Sequence, residues 1–127
     1  MKLEPNVWFD EVVKTYHLIS PHIHHTQLVT CPDLNEELDG RFLFKPESLQ
    51  ITGSFKVRGA LSAISRLSKD ELKRGVIAYS SGNHAQGVAH AAKVFNTPAI
   101  VVMPIDAPER KIANAKALGA KVIHYDR

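Results

Sequence analysis

From Val76 onward the chain repeats one pattern: a short apolar run, a turn, then a helical stretch of about a dozen residues. Val76-Ile77-Ala78-Tyr79 enters Ser80-Ser81-Gly82-Asn83, and residues 84–95 then read as a helix with Val88, Ala91, Ala92 and Phe95 facing inward. Ala99 to Met103 is a second apolar run, closed by Pro104. Residues 108–118 read as a second helix, with Pro108 suited to its first turn and Gly119 to its stop. Val122 and Ile123 begin a third run. Such alternation means βαβ units and a parallel sheet. The runs are apolar throughout, as expected of strands that helices cover on both faces. The expected fold class is α/β, a doubly wound parallel sheet, incomplete because the third run has only begun.

The first half is less regular. Residues 7–19 have Val12, Val13, Tyr16 and Ile19 spaced for one face of a helix. Pro21 and Pro32 bracket an irregular stretch, and Arg41 to Glu47, with Phe42, Leu43 and Phe44, is a strand candidate. Pro46 inside it suits an edge position or a bulge. Thr52-Gly53-Ser54 is a turn that leads into a helical pattern carrying Ala60, Ala63, Ile64 and Leu67 on one side. Trp8 and Phe9 read as core or interface residues.

At 127 residues the chain has room for one domain with a real core, and no repeat or linker divides it. Sixteen Lys and Arg against thirteen Asp and Glu leave a net charge of +3, scattered along the chain, which is no nucleic-acid footprint. No apolar run approaches membrane-spanning length. Glu4, Pro5 and Asp10 stand where an export signal would need an apolar core. The single cysteine, Cys31, agrees with a reducing cytoplasm and reads as an inert thiol. His22, His24 and His25 have no Cys or acidic partner nearby to complete a metal site and read as a polar loop, so no metal is expected.

Ligands of open parallel sheets bind where strand gives way to helix. One such junction is Ser80-Ser81-Gly82-Asn83-His84-Ala85-Gln86-Gly87, which has neither the G-x-G-x-x-G fingerprint nor the Lys-Ser/Thr of a P-loop. Hydroxyls and free N–H groups at a helix start there suit a carboxylate or phosphate. By spacing alone, Ser81 or Asn83 serving merely as a helix cap fits equally well. The other junction is Thr52-Gly53-Ser54-Phe55-Lys56-Val57-Arg58-Gly59-Ala60. Lys56 there sets a cation against the positive end of a helix dipole, a placement open to a nucleophilic amine or to a tolerated surface lysine.

Together, Ser54-Phe55-Lys56-Val57-Arg58-Gly59-Ala60 and Ser80 to Gly87 resemble the pyridoxal-phosphate enzymes of the threonine/serine dehydratase and serine racemase family. The lead-in Pro21-His22-Ile23-His24, Lys45-Pro46-Glu47-Ser48-Leu49-Gln50, and the later Met103-Pro104 and Ala107-Pro108 agree. The resemblance runs over about residues 12–127.

The resemblance implies pyridoxal 5'-phosphate as cofactor and an amino-acid substrate. Lys56 would form the Schiff base with the cofactor and then remove the substrate Cα proton. Phe55 would pack on one side of the cofactor and Asn83 would bond its ring oxygen. Ser80, Ser81, Gly82, Asn83 and His84 would bind the substrate carboxylate. The reaction would be β-elimination of water from a hydroxy amino acid such as threonine or serine, giving a 2-oxo acid and ammonia. Ser81 stands where racemases carry a hydroxyl that exchanges a proton opposite the lysine, so serine racemase and hydroxyaspartate dehydratase are alternatives. A non-catalytic small-molecule binding module is the alternative of another class.

Members of that family are more than twice as long, and their glycine-rich phosphate loop has no counterpart here, because no two of this chain's glycines are adjacent. Gln27 stands where members usually have proline. The expectation is an N-terminal part of a longer enzyme, inactive alone: a leading helix and strand over about 1–50, and the Schiff-base segment with a small α/β domain over about 51–127. A homo-oligomer is expected for the full-length parent.

Overall fold

The computed structural model describes residues 5–127, and the side chains of residues 8–127. Helix α1 spans Pro5–Ile19, α2 Pro32–Glu37, α3 Lys56–Ile64 and α4 Lys69–Arg74. Strand β1 (Val76–Tyr79), α5 (Asn83–Val94), β2 (Ala99–Pro104), α6 (Glu109–Ala117) and β3 (Lys121–Tyr125) complete the chain. The three strands are parallel in the order β1-β2-β3, with Ala78 opposite Val101 and Val101 opposite Val122. The α/β class and the parallel sheet read from the sequence are what the chain forms.

The layering follows from side-chain size. Helix α5 lies between the sheet and α3, so it is buried on two sides, and Ala85, Gly87, Ala89, Ala91 and Ala92 keep its girth small. Val57, Ala60, Leu61 and Ile64 of α3 pack on one side of it; Ala99, Val101 and Met103 of β2 line the core below. Each of the larger side chains contributes about 1.5–3 kcal/mol of burial. Two right-handed β–α–β crossovers in one direction put α5 and α6 on the same face of the sheet. The opposite face is open among the described residues: Ile77 and Tyr79 are about 70% exposed and Ile123 is also exposed. The expectation of helices on both faces is therefore met on one.

Several other expectations change. Residues 7–19 are helical, but of the apolar set Val12, Val13, Tyr16 and Ile19 only Ile19 is buried. Just beyond the end of α3, Arg66 bonds Thr15 of α1 and pairs with Glu11 at 3.5 Å. No described element covers the rest of the apolar side of α1. Trp8 and Phe9 are exposed, not core. Arg41 to Glu47 forms no strand, only a single antiparallel bridge between Phe44 and Val29. Pro46 cannot donate to a ladder, and a lone pair of strands has no sheet to join. Ala63 is exposed and Leu67 lies beyond the end of α3. Pro108 caps α6 from outside and does not sit in its first turn. Glu4, used in the argument on export, lies outside the described residues.

The histidines of the leading segment have structural partners: His25 Nδ1 meets the Tyr16 hydroxyl at 3.1 Å, His24 Nδ1 meets the Leu49 carbonyl at 3.2 Å, and His22 packs edge-on to Phe95. No helix among the described residues is long and apolar enough to cross a membrane.

Candidate active site

The lysine junction is built on two fixed side chains. Gln50 is buried; its Oε1 accepts from the backbone N–H groups of His24 at 2.8 Å and Ile51 at 3.0 Å, and its Nε2 donates to the His24 carbonyl at 2.9 Å. The turn then closes through Gly53, whose left-handed φ of 68° suits glycine. Buried Ser54 accepts from the Lys56 N–H at 3.4 Å, and α3 begins at Lys56. Arg58, half a turn on, forks onto Glu47 with bonds of 2.7 and 2.8 Å, while Thr26 donates to the same carboxylate at 2.7 Å. The Arg58 bond, opposed by burial and helped by Thr26, holds the Glu47 carboxyl down to about 2. The lysine helix is thus tied to the leading segment at both Gln50 and Glu47. Lys56 Nζ lies 4.7 Å from the centroid of the exposed Phe55 ring.

The second junction follows β1. The Ser80 N–H donates to the Val102 carbonyl at 3.1 Å, which carries the sheet one residue past Tyr79, and Ser80 Oγ accepts from the Gly82 N–H at 3.2 Å. Gly82 is the cap of α5, and no side chain accepts from the first-turn N–H groups. Neither Ser81 nor Asn83 is therefore a helix cap, and the positive end of the α5 dipole is left open. A Cβ on Gly82 would meet nothing within 4 Å, so the turn faces open space. Ser81, Asn83 and His84 are exposed along it.

The two junctions meet at Gly87. A Cβ there would lie 3.1 Å from the carbonyl carbon and oxygen of Lys56. Gly87 is one helical turn from Asn83, so the lysine and the uncapped helix start share one end of the α3–α5 pair. Ser81 and His84 make no hydrogen bond to either among the described residues. Asn83 Oδ1 accepts from Lys111 Nζ of α6, and Asn114 Nδ2 of α6 donates to Gln86 Oε1 at 2.8 Å. Beside these rungs Thr52, Gln86, His90 and Arg110 border a cleft of about 560 Å³, in which Thr52 Oγ1 and Gln86 Nε2 are buried without partners. Burial, with Lys93 and His22 nearby, lowers the pKa of His90. Sequence reading missed Lys111, Gln86 and Asn114; their partners are 28 residues away, and no local spacing marks them.

The family model for pyridoxal-phosphate dependent enzymes matches residues 19–127, a span that holds both junctions. The chain belongs to that family. It is 43% identical over 94% of its length to L-threo-3-hydroxyaspartate ammonia-lyase of Saccharomyces cerevisiae, and 45% identical over 92% to L-threonine ammonia-lyase of Thermotoga maritima. It covers 36% and 29% of those two proteins. In structure it is similar to maize serine racemase, with a TM-score of 0.87 and 36% identity over 93% of this chain and 36% of that one. The chain therefore spans about a third of the length of the relatives it matches.

Proposed function

We propose that this chain is the part of a pyridoxal-phosphate ammonia-lyase that carries the reactive lysine and the substrate carboxylate site, and that the enzyme removes water from a hydroxy amino acid such as threonine or serine. The observation that carries the reading is the contact of Gly87 with the Lys56 backbone, which sets an amine and an uncapped helix start side by side. The donor set fits the cofactor: an exposed primary amine, an aromatic face at Phe55 and an amide at Asn83. The glycine-rich phosphate cradle has no counterpart among these residues, so phosphate binding falls to a longer parent.

When bound, the cofactor supplies the electron sink for the carbanion. Lys56 would hold it and, once the substrate amine has displaced the lysine nitrogen, the freed amine would take the Cα proton of the substrate as general base. Phe55 would pack against the cofactor, and Asn83 would donate to one of its oxygens. The Ser80–His84 turn, at the uncapped start of α5, would receive the substrate carboxylate, whose negative charge the α5 dipole favours. Loss of the β-hydroxyl as water then yields the 2-oxo acid and ammonia after hydrolysis.

Serine racemase activity is the second reading, favoured by the exposed Ser81 hydroxyl, which no hydrogen bond among the described residues occupies. A hydroxyaspartate dehydratase would use the same residues. A purely non-catalytic binding module would have no need of Lys56 at the helix start. The reading also takes residues 51–127 as the Schiff-base segment and small domain, the parent as a homo-oligomer, and the exposed Cys31 thiol as suited to a reducing cytoplasm.

Titration with pyridoxal phosphate tests this. The reading predicts an absorbance change that saturates for the chain and is lost in Lys56→Ala. Equal changes in both would overturn it.

A further inference from the structure

We propose that Lys111 positions Asn83, fixing which end of its amide faces the cofactor. This rests on the reading of Asn83 given above. The two ends of an asparagine amide are chemically opposite, one an acceptor and the other a pair of donors. An ammonium group can only donate. Its bond to Asn83 therefore forces the amide oxygen toward α6 and leaves the Nδ2 hydrogens to point outward. A donor is what an oxygen on the cofactor ring requires, so the pairing settles the amide in the one orientation that can serve it.

A second rung lies beside this one. Asn114, one turn further along α6, donates to Gln86 Oε1, one turn further along α5. Two rungs of equal spacing thus clamp the first turn of α5 against α6. Stability does not call for a cation here: Lys111 lies in the first turn of α6 and beside the first turn of α5, where both dipoles oppose positive charge. A neutral donor would make the same bond without that opposition. What the charge adds is a charge-assisted bond that polarises the amide and strengthens the donor on its far side.

The experiment uses the 127-residue chain with Lys111→Met, Lys111→Arg, Asn83→Ala and the Lys111→Met/Asn83→Ala double variant. The first readout needs no cofactor: the side-chain NH2 resonances of Asn83 by NMR, with Asn35 and Asn96 as internal references. In the parent chain the Asn83 pair is expected to be dispersed and protected from exchange. In Lys111→Met it should move to the positions of a free amide, and in Lys111→Arg it should stay near the parent's. An Asn83 pair that already behaves as a free amide in the parent chain, or that Lys111→Met leaves unmoved, would overturn the proposal.

The second readout is the dissociation constant for pyridoxal phosphate. Lys111→Met should raise it about tenfold, the scale of one charge-assisted bond, and Lys111→Arg should largely restore it. In the Asn83→Ala background Lys111→Met should add nothing, because Lys111 acts through Asn83. Equal effects in both backgrounds would overturn the proposal. Parent-like affinity in Asn83→Ala would instead refute the cofactor role of Asn83, with the amide resonances still deciding the Lys111 pairing.

Discussion

Gly87 and Lys56 approach so closely that a Cβ on the glycine would sit 3.1 Å from the lysine's carbonyl carbon and oxygen. The obstacle is backbone at the start of α3, which cannot turn aside as a side chain can. The spacing of the reactive lysine from the Ser80–His84 turn is therefore set by the lack of a side chain at one position.

Gly87→Ala should push α3 from α5 and lower stability by about 1–3 kcal/mol, the usual cost of overpacking, less the roughly 1 kcal/mol that alanine gains in a helix. Gly59→Ala is the control. A Cβ at Gly59 meets nothing within 4 Å, so the same substitution there should stabilise by up to about 1 kcal/mol. Thermal melts of the two variants should move in opposite directions. Equal shifts would show that the approach at Gly87 is not tight.

The Glu47–Arg58 pair makes stability depend on acidity in a stated direction. The Glu47 carboxyl ionises at about 2 in the folded chain, against an ordinary value of 4.5. A depressed folded pKa gives stability that is fully present above 4.5 and lost as pH falls toward 2. At pH 7, Glu47→Gln should cost about 1.5–3 kcal/mol, the range for hydrogen bonds to charged groups. The gap between parent and variant should narrow in melts at pH 5, 4 and 3. A gap that stays constant with pH would show that the carboxylate charge is not what holds the pair.

Gln50→Leu should be costly for a different reason. It keeps the volume but strips partners from the N–H and carbonyl of His24 and from the Ile51 N–H. These bonds are part-buried, and a group left without a partner away from water costs about 1–3 kcal/mol. Denaturant melts should fall by at least about 2 kcal/mol, with amide exchange quickening at His24 and Ile51 ahead of the β2 core. A loss under about 0.5 kcal/mol, in the range of ordinary surface changes, would show that Gln50 is no tie.

How far the sequence could be read depends on where each signal is stored. The course from β1 to β3 was legible because Val76–Tyr79, Ala99–Met103 and Val122–Ile123 are local apolar runs with helical spacing between them. Helix α4 is equally legible in Ser68-x-x-Glu71, whose capping box forms in full. The aromatic run at Phe42–Phe44 misled, because strand propensity needs a neighbouring sheet to act on. Burial on α1 is not legible in the same way, since periodicity shows which side of a helix is apolar but not whether anything covers it. Lys56 and the Ser80–His84 turn stood out as motifs at strand and helix ends. Lys111 and Asn114 did not, because their meaning arises only when α6 packs on α5.

The most direct test of the central claim is borohydride reduction of the chain mixed with pyridoxal phosphate, followed by peptide mass mapping. A site already shaped by the α3–α5 contact should give one dominant adduct, on Lys56, and lose it in Gly87→Val. Adducts scattered over exposed lysines such as Lys69, Lys73 and Lys121, with Lys56 no richer than the rest, would contradict the account.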